Sequence, residues 1–178
     1  MNKKILDKNS ETYKNLQTAL QGEALAFLKY QFYQKKLSEY SKEYSNLLDE
    51  VIHNEKEHAE IWFKQLHNNT IPDNVENLID AINGETLEHL ELYPMFAETA
   101  YLEGYDDIGF LFENIAIIEG NHSKQFQNIK NNIENENSFK SDTEIYWKCL
   151  NCGHILKSKD APVECPVCKH PSKYFIKL

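Results

Sequence analysis

Two Glu-x-x-His pairs, each preceded by a lone glutamate at nearly the same distance, constrain this chain more than any other feature. Glu23 stands 32 residues before Glu55-x-x-His58, and Glu88 stands 31 residues before Glu119-x-x-His122. Residues three apart on a helix share a face, so each pair aims a carboxylate and an imidazole at one point. When two helices each give a Glu and two others each give a Glu-x-x-His, the bundle builds a two-metal carboxylate site, with iron or manganese as the metal. The repeat therefore predicts a fold and a metal count together.

The spacing of apolar residues supplies the helices. A first helix is expected over roughly 11–37, where Leu16, Leu20, Glu23, Phe27, Tyr30, Gln34 and Leu37 alternate steps of four and three. A second runs from about Tyr44 to Leu66 along Leu48, Val51, Glu55, His58 and Trp62. Asn68 to Asn74, with Pro72, is a break. Val75 to Ile82 reads as a short helix punctuated by Gly84, followed by a third long helix from about Glu85 to Glu103. Pro94 falls inside that span and is expected to kink or widen it. Gly104 is the expected stop, Asp106 or Asp107 the next cap, and the fourth helix extends to about Ile133.

Each of the four stripes carries an ionisable residue where a bundle ordinarily places Leu or Ile. A buried Glu needs a partner or a metal. One such Glu is ordinarily a half-exposed residue near a helix end; four in matching places are not. Glu50-x-x-His53 serves as an internal control. It lies five positions before Glu55 and His58, about 140° around a helix, and so points off the seam. Four carboxylates and two imidazoles balance two divalent ions and suit iron or manganese. Glu85, one turn before Glu88, is a fifth carboxylate; by residue type it is either a dipole-favoured Glu near a helix start or an extra ligand. Tyr30 and Tyr93 lie near enough along their helices to donate hydrogen bonds to the ligands, although each is also an ordinary aromatic core position. His67, His89, His154 and His170 lack the paired context and read as surface residues.

All four cysteines lie in the last thirty residues, as Cys149-x-x-Cys152 and Cys165-x-x-Cys168. Two such knuckles twelve residues apart form one four-thiolate site, structural with zinc or electron-carrying with iron. A redox centre on the same chain favours iron. Tyr146, Trp147, Tyr174 and Phe175 are the expected core of this small module. The expected boundaries are an all-α four-helix bundle over 1–137, a polar linker over 138–144 and a metal-stapled β/loop module over 145–178.

The net charge of −9 excludes nucleic acid or an anionic membrane as the main partner. An apolar content of 41% excludes a disordered chain. Met1 to Ser10 holds no apolar run, and no stretch reaches eighteen apolar residues, so a cytoplasmic location is expected.

Together these residues resemble the rubrerythrin family over nearly the whole chain. The carriers are Gly22-Glu23, Glu55-x-x-His58-Ala59, Gly84-Glu85-x-x-Glu88 running into Leu92-Tyr93-Pro94, Glu119-x-x-His122, and Trp147-x-Cys149-x-x-Cys152-Gly153 with Cys165-Pro-Val-Cys168. The resemblance implies a non-haem di-iron peroxidase that reduces hydrogen peroxide in oxidative-stress defence. It implies two irons on Glu23, Glu55, His58, Glu88, Glu119 and His122, with Glu85 as an additional ligand exchanging with His58 as the redox state changes. It implies a third iron on the four cysteines, and roles for Glu85, Tyr30 and Tyr93 in catalysis. An external donor such as a rubredoxin or its NADH-dependent reductase, and a homodimer or larger assembly, are implied as well. His154 departs from the aromatic residue often found at that place. The rival reading is a ferritin-like iron-oxidising protein with a structural zinc ribbon.

Overall fold

The computed structural model describes residues 6–178. The first five residues, part of the segment read above for a leader, lie outside the described residues. The chain divides into two compact units, Met1–Pro72 and Asp73–Leu178.

The first unit is a helical hairpin. Helix α1 (Glu11–Leu37) starts where the Ser10 hydroxyl accepts the Tyr13 amide at 3.2 Å. Glu11 in its first turn and Lys35 and Lys36 in its last complement the helix dipole. The expected second helix is two pieces, α2 (Lys42–Asn46), capped by Ser41, and α3 (Leu48–Leu66), which meet at Leu47. Gln34 ties the end of α1 to this junction: its side-chain amide donates to the Ser45 carbonyl at 3.1 Å, and the Ser45 hydroxyl donates to the Gln34 carbonyl at 3.2 Å. The expected break after α3 is present, with Asn68 and Asn69 both at left-handed φ.

In the second unit the expected short helix with a stop at Gly84 is not found. Helix α4 (Asn74–Leu87), capped by Asp73, passes through Gly84 and runs via a π-turn at Glu88–Leu92 into α5 (Tyr93–Leu102). A glycine weakens a helix by only about 1 kcal/mol, too little to end one that packs along its length. The π-turn is the widening expected at Pro94. A proline brings no amide donor and collides with the carbonyl one turn back, and the wider turn accommodates both. Gly104, at φ 83°, closes α5: its amide bonds the Tyr101 carbonyl, and the Tyr105 amide bonds that of Ala100. Helix α6 (Asp106–Glu134) has Tyr105, not Asp106 or Asp107, at its cap position. Both aspartates sit in the first turn, where their charge meets the dipole. Small residues, Ala97, Ala100, Gly109, Ala116 and Gly120, are the buried ones in α5 and α6, and a Tyr93–Phe96–Phe112 ring cluster lies beside them.

The C-terminal module is a three-stranded antiparallel sheet of β1 (Ile145–Cys149), β2 (Ile155–Ser158) and β3 (Phe175–Lys177), ordered β2-β1-β3. Its core is Trp147, Cys149, Cys165 and Phe175, joined by Tyr174. Tyr146, expected in that core, is 54% exposed. Neighbours on a strand point to opposite faces, so burying Trp147 turns Tyr146 outward. Among the described residues no helix is long and apolar enough to cross a membrane.

Candidate metal centres

In the first unit the hairpin brings Glu23 of α1 to Glu55 and His58 of α3, with one ligand atom of each within 4.8 Å of the others. His58 Nδ1 stands 3.3 Å from Glu55 Oε2 and 3.9 Å from Glu23 Oε2. The control pair behaves as expected: His53 is exposed and faces Glu57, at 4.0 Å. Tyr30 is half-buried on α1, near Tyr33.

The second unit repeats this geometry with Glu85, Glu119 and His122. His122 Nδ1 is 2.7 Å from Glu119 Oε2 and 3.5 Å from Glu85 Oε2. Glu88 is not part of the cluster. It lies close enough to help raise the Glu85 and Tyr93 pKa values. Glu85 Oε2 is shut off from solvent and accepts no hydrogen bond among the described residues. A cation is the partner such an oxygen lacks, and two carboxylates with an imidazole are a donor set that suits iron.

Burial, then the adjacent Glu119 carboxylate, push the Glu85 carboxyl above its ordinary value. The same effects from burial and Glu88 raise the Tyr93 phenol. A carboxyl raised in the folded state lends stability in acid that is lost as pH rises through its raised pKa. In chelator-stripped protein, Glu85→Gln is therefore expected to melt higher than the parent at pH 7.5. The difference should vanish below the ordinary carboxylate range, and paired thermal melts at the two pH values check it.

His89, expected at the surface, is half-buried and clamped to α6. Its Nδ1–H donates to the Ala116 carbonyl at 2.6 Å, and its ring lies where a Cβ on Gly120 would stand, 2.8 Å away. The Thr86 and Ser123 hydroxyls bond at 2.8 Å nearby. Two signals were available in the sequence: His89 follows Glu85 by four residues, and a glycine interrupts the Glu119-x-x-His122 motif. Gly120→Ala is expected to dislodge the ring and cost about 1–2 kcal/mol, overpacking less the helix preference of alanine. Urea unfolding of the metal-free protein measures this.

At the C-terminus all four Sγ atoms lie within 4.8 Å of one another. Cys149 to Cys168 and Cys152 to Cys165 are each 3.7 Å, close to the edge of about 3.8 Å for a tetrahedron with metal–sulfur bonds of about 2.3 Å. The His170 backbone amide holds the Cys168 thiol down at about 6. At Cys152 the His154 amide pulls the same way, but the other three cysteines and burial outweigh it and push the thiol up to about 12. Four thiolates so close together require a cation. His170 is not free at the surface, since its ring stacks edge-on against Tyr174.

A helical chain with paired carboxylate–imidazole clusters and an appended four-thiolate module is an iron protein of two centres. The rubrerythrin family model matches residues 14–130, and the model for the rubrerythrin rubredoxin-like domain matches 147–176. Rubrerythrin-1 of Clostridium acetobutylicum is 36% identical, over 94% of each chain. Rubrerythrin of Porphyromonas gingivalis is 36% identical over 98% of this chain and 92% of that one, and that of Nitratidesulfovibrio vulgaris 35% over 94% of each. The chain belongs to the rubrerythrin family, and its residues supply a di-iron carboxylate set and a rubredoxin-like four-cysteine set.

Proposed function

We propose that this chain is a non-haem di-iron peroxidase that reduces hydrogen peroxide to water, drawing electrons through its four-thiolate iron from an external donor. The observation that carries this reading is the presence, on one chain, of carboxylate–imidazole clusters and a thiolate tetrahedron. When bound, the two irons supply one electron each and Lewis acidity at the O–O bond.

By the family pattern Glu23, Glu55, His58, Glu88, Glu119 and His122 hold the two irons, and Glu85 is the additional ligand. His58 and His122 are oriented by Glu55 and Glu119 one turn away. Turning one peroxide into two waters takes two electrons and two protons. The Glu85 carboxyl and the Tyr93 phenol, both with pKa values raised by burial, are the groups placed to give protons. Tyr30 is the corresponding phenol of the first unit. Cys149, Cys152, Cys165 and Cys168 hold the third iron. Residues 1–137 act as the peroxide-reducing domain, 138–144 as linker and 145–178 as the electron-relay domain. The donor is a rubredoxin or its NADH-dependent reductase, and the protein works as a homo-oligomer in the cytoplasm.

The test is a visible-absorption time course. The protein is reduced without air, freed of reductant and mixed with equimolar hydrogen peroxide. Rapid return of the ferric four-thiolate colour is the expected result. Slow return would favour the iron-oxidising alternative, and a chain colourless throughout would put zinc in the module and remove the relay.

A further inference from the structure

In the second unit the helix that carries Glu85 meets α6 rung by rung, in antiparallel register. Thr86 bonds Ser123, Glu85 faces Glu119 and His122, His89 meets Ala116 and Gly120, and Tyr93 meets Phe112 with ring centroids 5.7 Å apart. The hydroxyl pair and the ring pair can follow one another as side chains turn. The His89 rung differs in kind, because its Nδ1–H donates to a backbone carbonyl, at 2.6 Å. A carbonyl has no rotamer of its own, so a bond to it fixes height along the helix. The seat is made by an absent side chain. In an α-helix the carbonyl of residue 116 points at the amide of residue 120. A Cβ at Gly120 would stand 2.8 Å from the His89 ring, so the glycine is what lets the ring reach that carbonyl as a second donor. Ala116 and Gly120 are both buried.

The seat lies inside the metal-ligating motif. On α6 Ala116 stands three residues before Glu119, and Gly120 stands directly after it. On the other helix His89 follows Glu85 by four residues, on the same face, and directly follows Glu88, where the π-turn begins. Each residue of a helix turns by about 100°, so a wide turn displaced by one residue would re-aim the side chains within it. We propose that His89 is a positioning residue for this cluster. Its bond to the Ala116 carbonyl, made through the notch at Gly120, holds the π-turn at one height on α6 and fixes how Glu85 and Glu88 are presented to Glu119 and His122. His89 acts through these glutamates and not on the substrate. The inference rests on the reading that the cluster holds iron and serves peroxide reduction.

The test compares full-length variants loaded with isotopically enriched iron and reduced without air. Mössbauer spectra separate ferrous iron on oxygen and nitrogen from ferrous iron on four thiolates in one sample. His89→Phe keeps a ring for the notch and removes the donor. The Ala116 carbonyl keeps its bond within α6, so no buried group is left unpaired and the variant is expected to fold. His89→Asn places an amide N–H where Nδ1–H stood. Gly120→Ala expels the ring from the side of α6. His89→Phe and Gly120→Ala are expected to shift the quadrupole splitting of the carboxylate-bound iron and to leave the four-thiolate doublet unchanged. They should lower kcat for peroxide on the order of tenfold with KM unchanged, the scale of a lost orienting partner. His89→Asn, which keeps the bond, is expected to rescue both spectrum and kcat. A His89→Phe protein with the parent's spectrum would make the residue a packing residue only and overturn the proposal. So would a His89→Asn spectrum shifted as far as that of His89→Phe, because the bond would then not be what sets the cluster. If loss of helical dichroism shows His89→Phe unfolded, Gly120→Ala decides by the same spectral criterion. A parent that holds iron in this cluster and spares peroxide would sink the peroxidase reading and leave the spectral comparison standing.

Discussion

Replacing Cys165 with serine, or stripping the metal with a strong chelator, is expected to unfold residues 145–178 at 25 °C while leaving the helices intact. The module has four buried core residues, and two of them, Cys149 and Cys165, are themselves metal ligands. Chains shorter than about 40 residues do not bury enough surface to offset the loss of chain entropy without a staple. Here the staple is the thiolate–metal tetrahedron, and binding at such sites contributes on the order of 10 kcal/mol to folding. Without it the thiols repel one another as they ionise, and Trp147, now fully buried, loses its enclosure. A red shift and loss of near-ultraviolet dichroism from Trp147 are expected, with the helical signal at 222 nm nearly unchanged. The other tryptophan, Trp62, lies on α3 and provides a constant background. A native Trp147 signal in the metal-free protein would mean that the sheet holds itself together.

The legible part of the sequence was the part with period and spacing. The extent of α1 followed from its apolar steps of four and three. Gly104 marked a stop because only its left-handed backbone let the Gly104 and Tyr105 amides reach back to Tyr101 and Ala100. The ligand clusters were legible because Glu-x-x-His works within one helix, so one turn of chain fixes most of the geometry. What failed depended on neighbours. Gly84 reads as a boundary by propensity, but α4 runs straight through it. His89 looks solvent-facing until Ala116 and Gly120 come opposite it, a meeting of residues about thirty positions apart. Glu88 starts the π-turn and lies within electrostatic reach of Glu85 in the Glu85, Glu119 and His122 cluster.

Glu119→Ala is expected to lower iron retention and to reduce peroxide consumption at least 100-fold. Glu119 has the least exposed side chain of its cluster, and its carboxylate fixes the His122 ring at 2.7 Å. Removing it takes away one ligand outright and frees a second to turn. Loss of an orienting partner alone typically costs 10–100-fold in metal affinity or activity, and here a ligand is lost as well. The substitution also removes a carboxylate that helps raise the Glu85 pKa. Glu50→Ala supplies the comparison: it deletes a glutamate from a Glu-x-x-His motif that lies off the seam and whose His53 is exposed, and it should change neither quantity. Iron per chain by elemental analysis and initial rates of peroxide loss measure both variants. Equal losses in the two would trace the effect to general acidity or stability. A Glu119→Ala protein that kept its iron and its turnover would remove this cluster from the chemistry. The expected split, with one glutamate essential and the other idle, separates a metal site from a chain that is merely rich in acid.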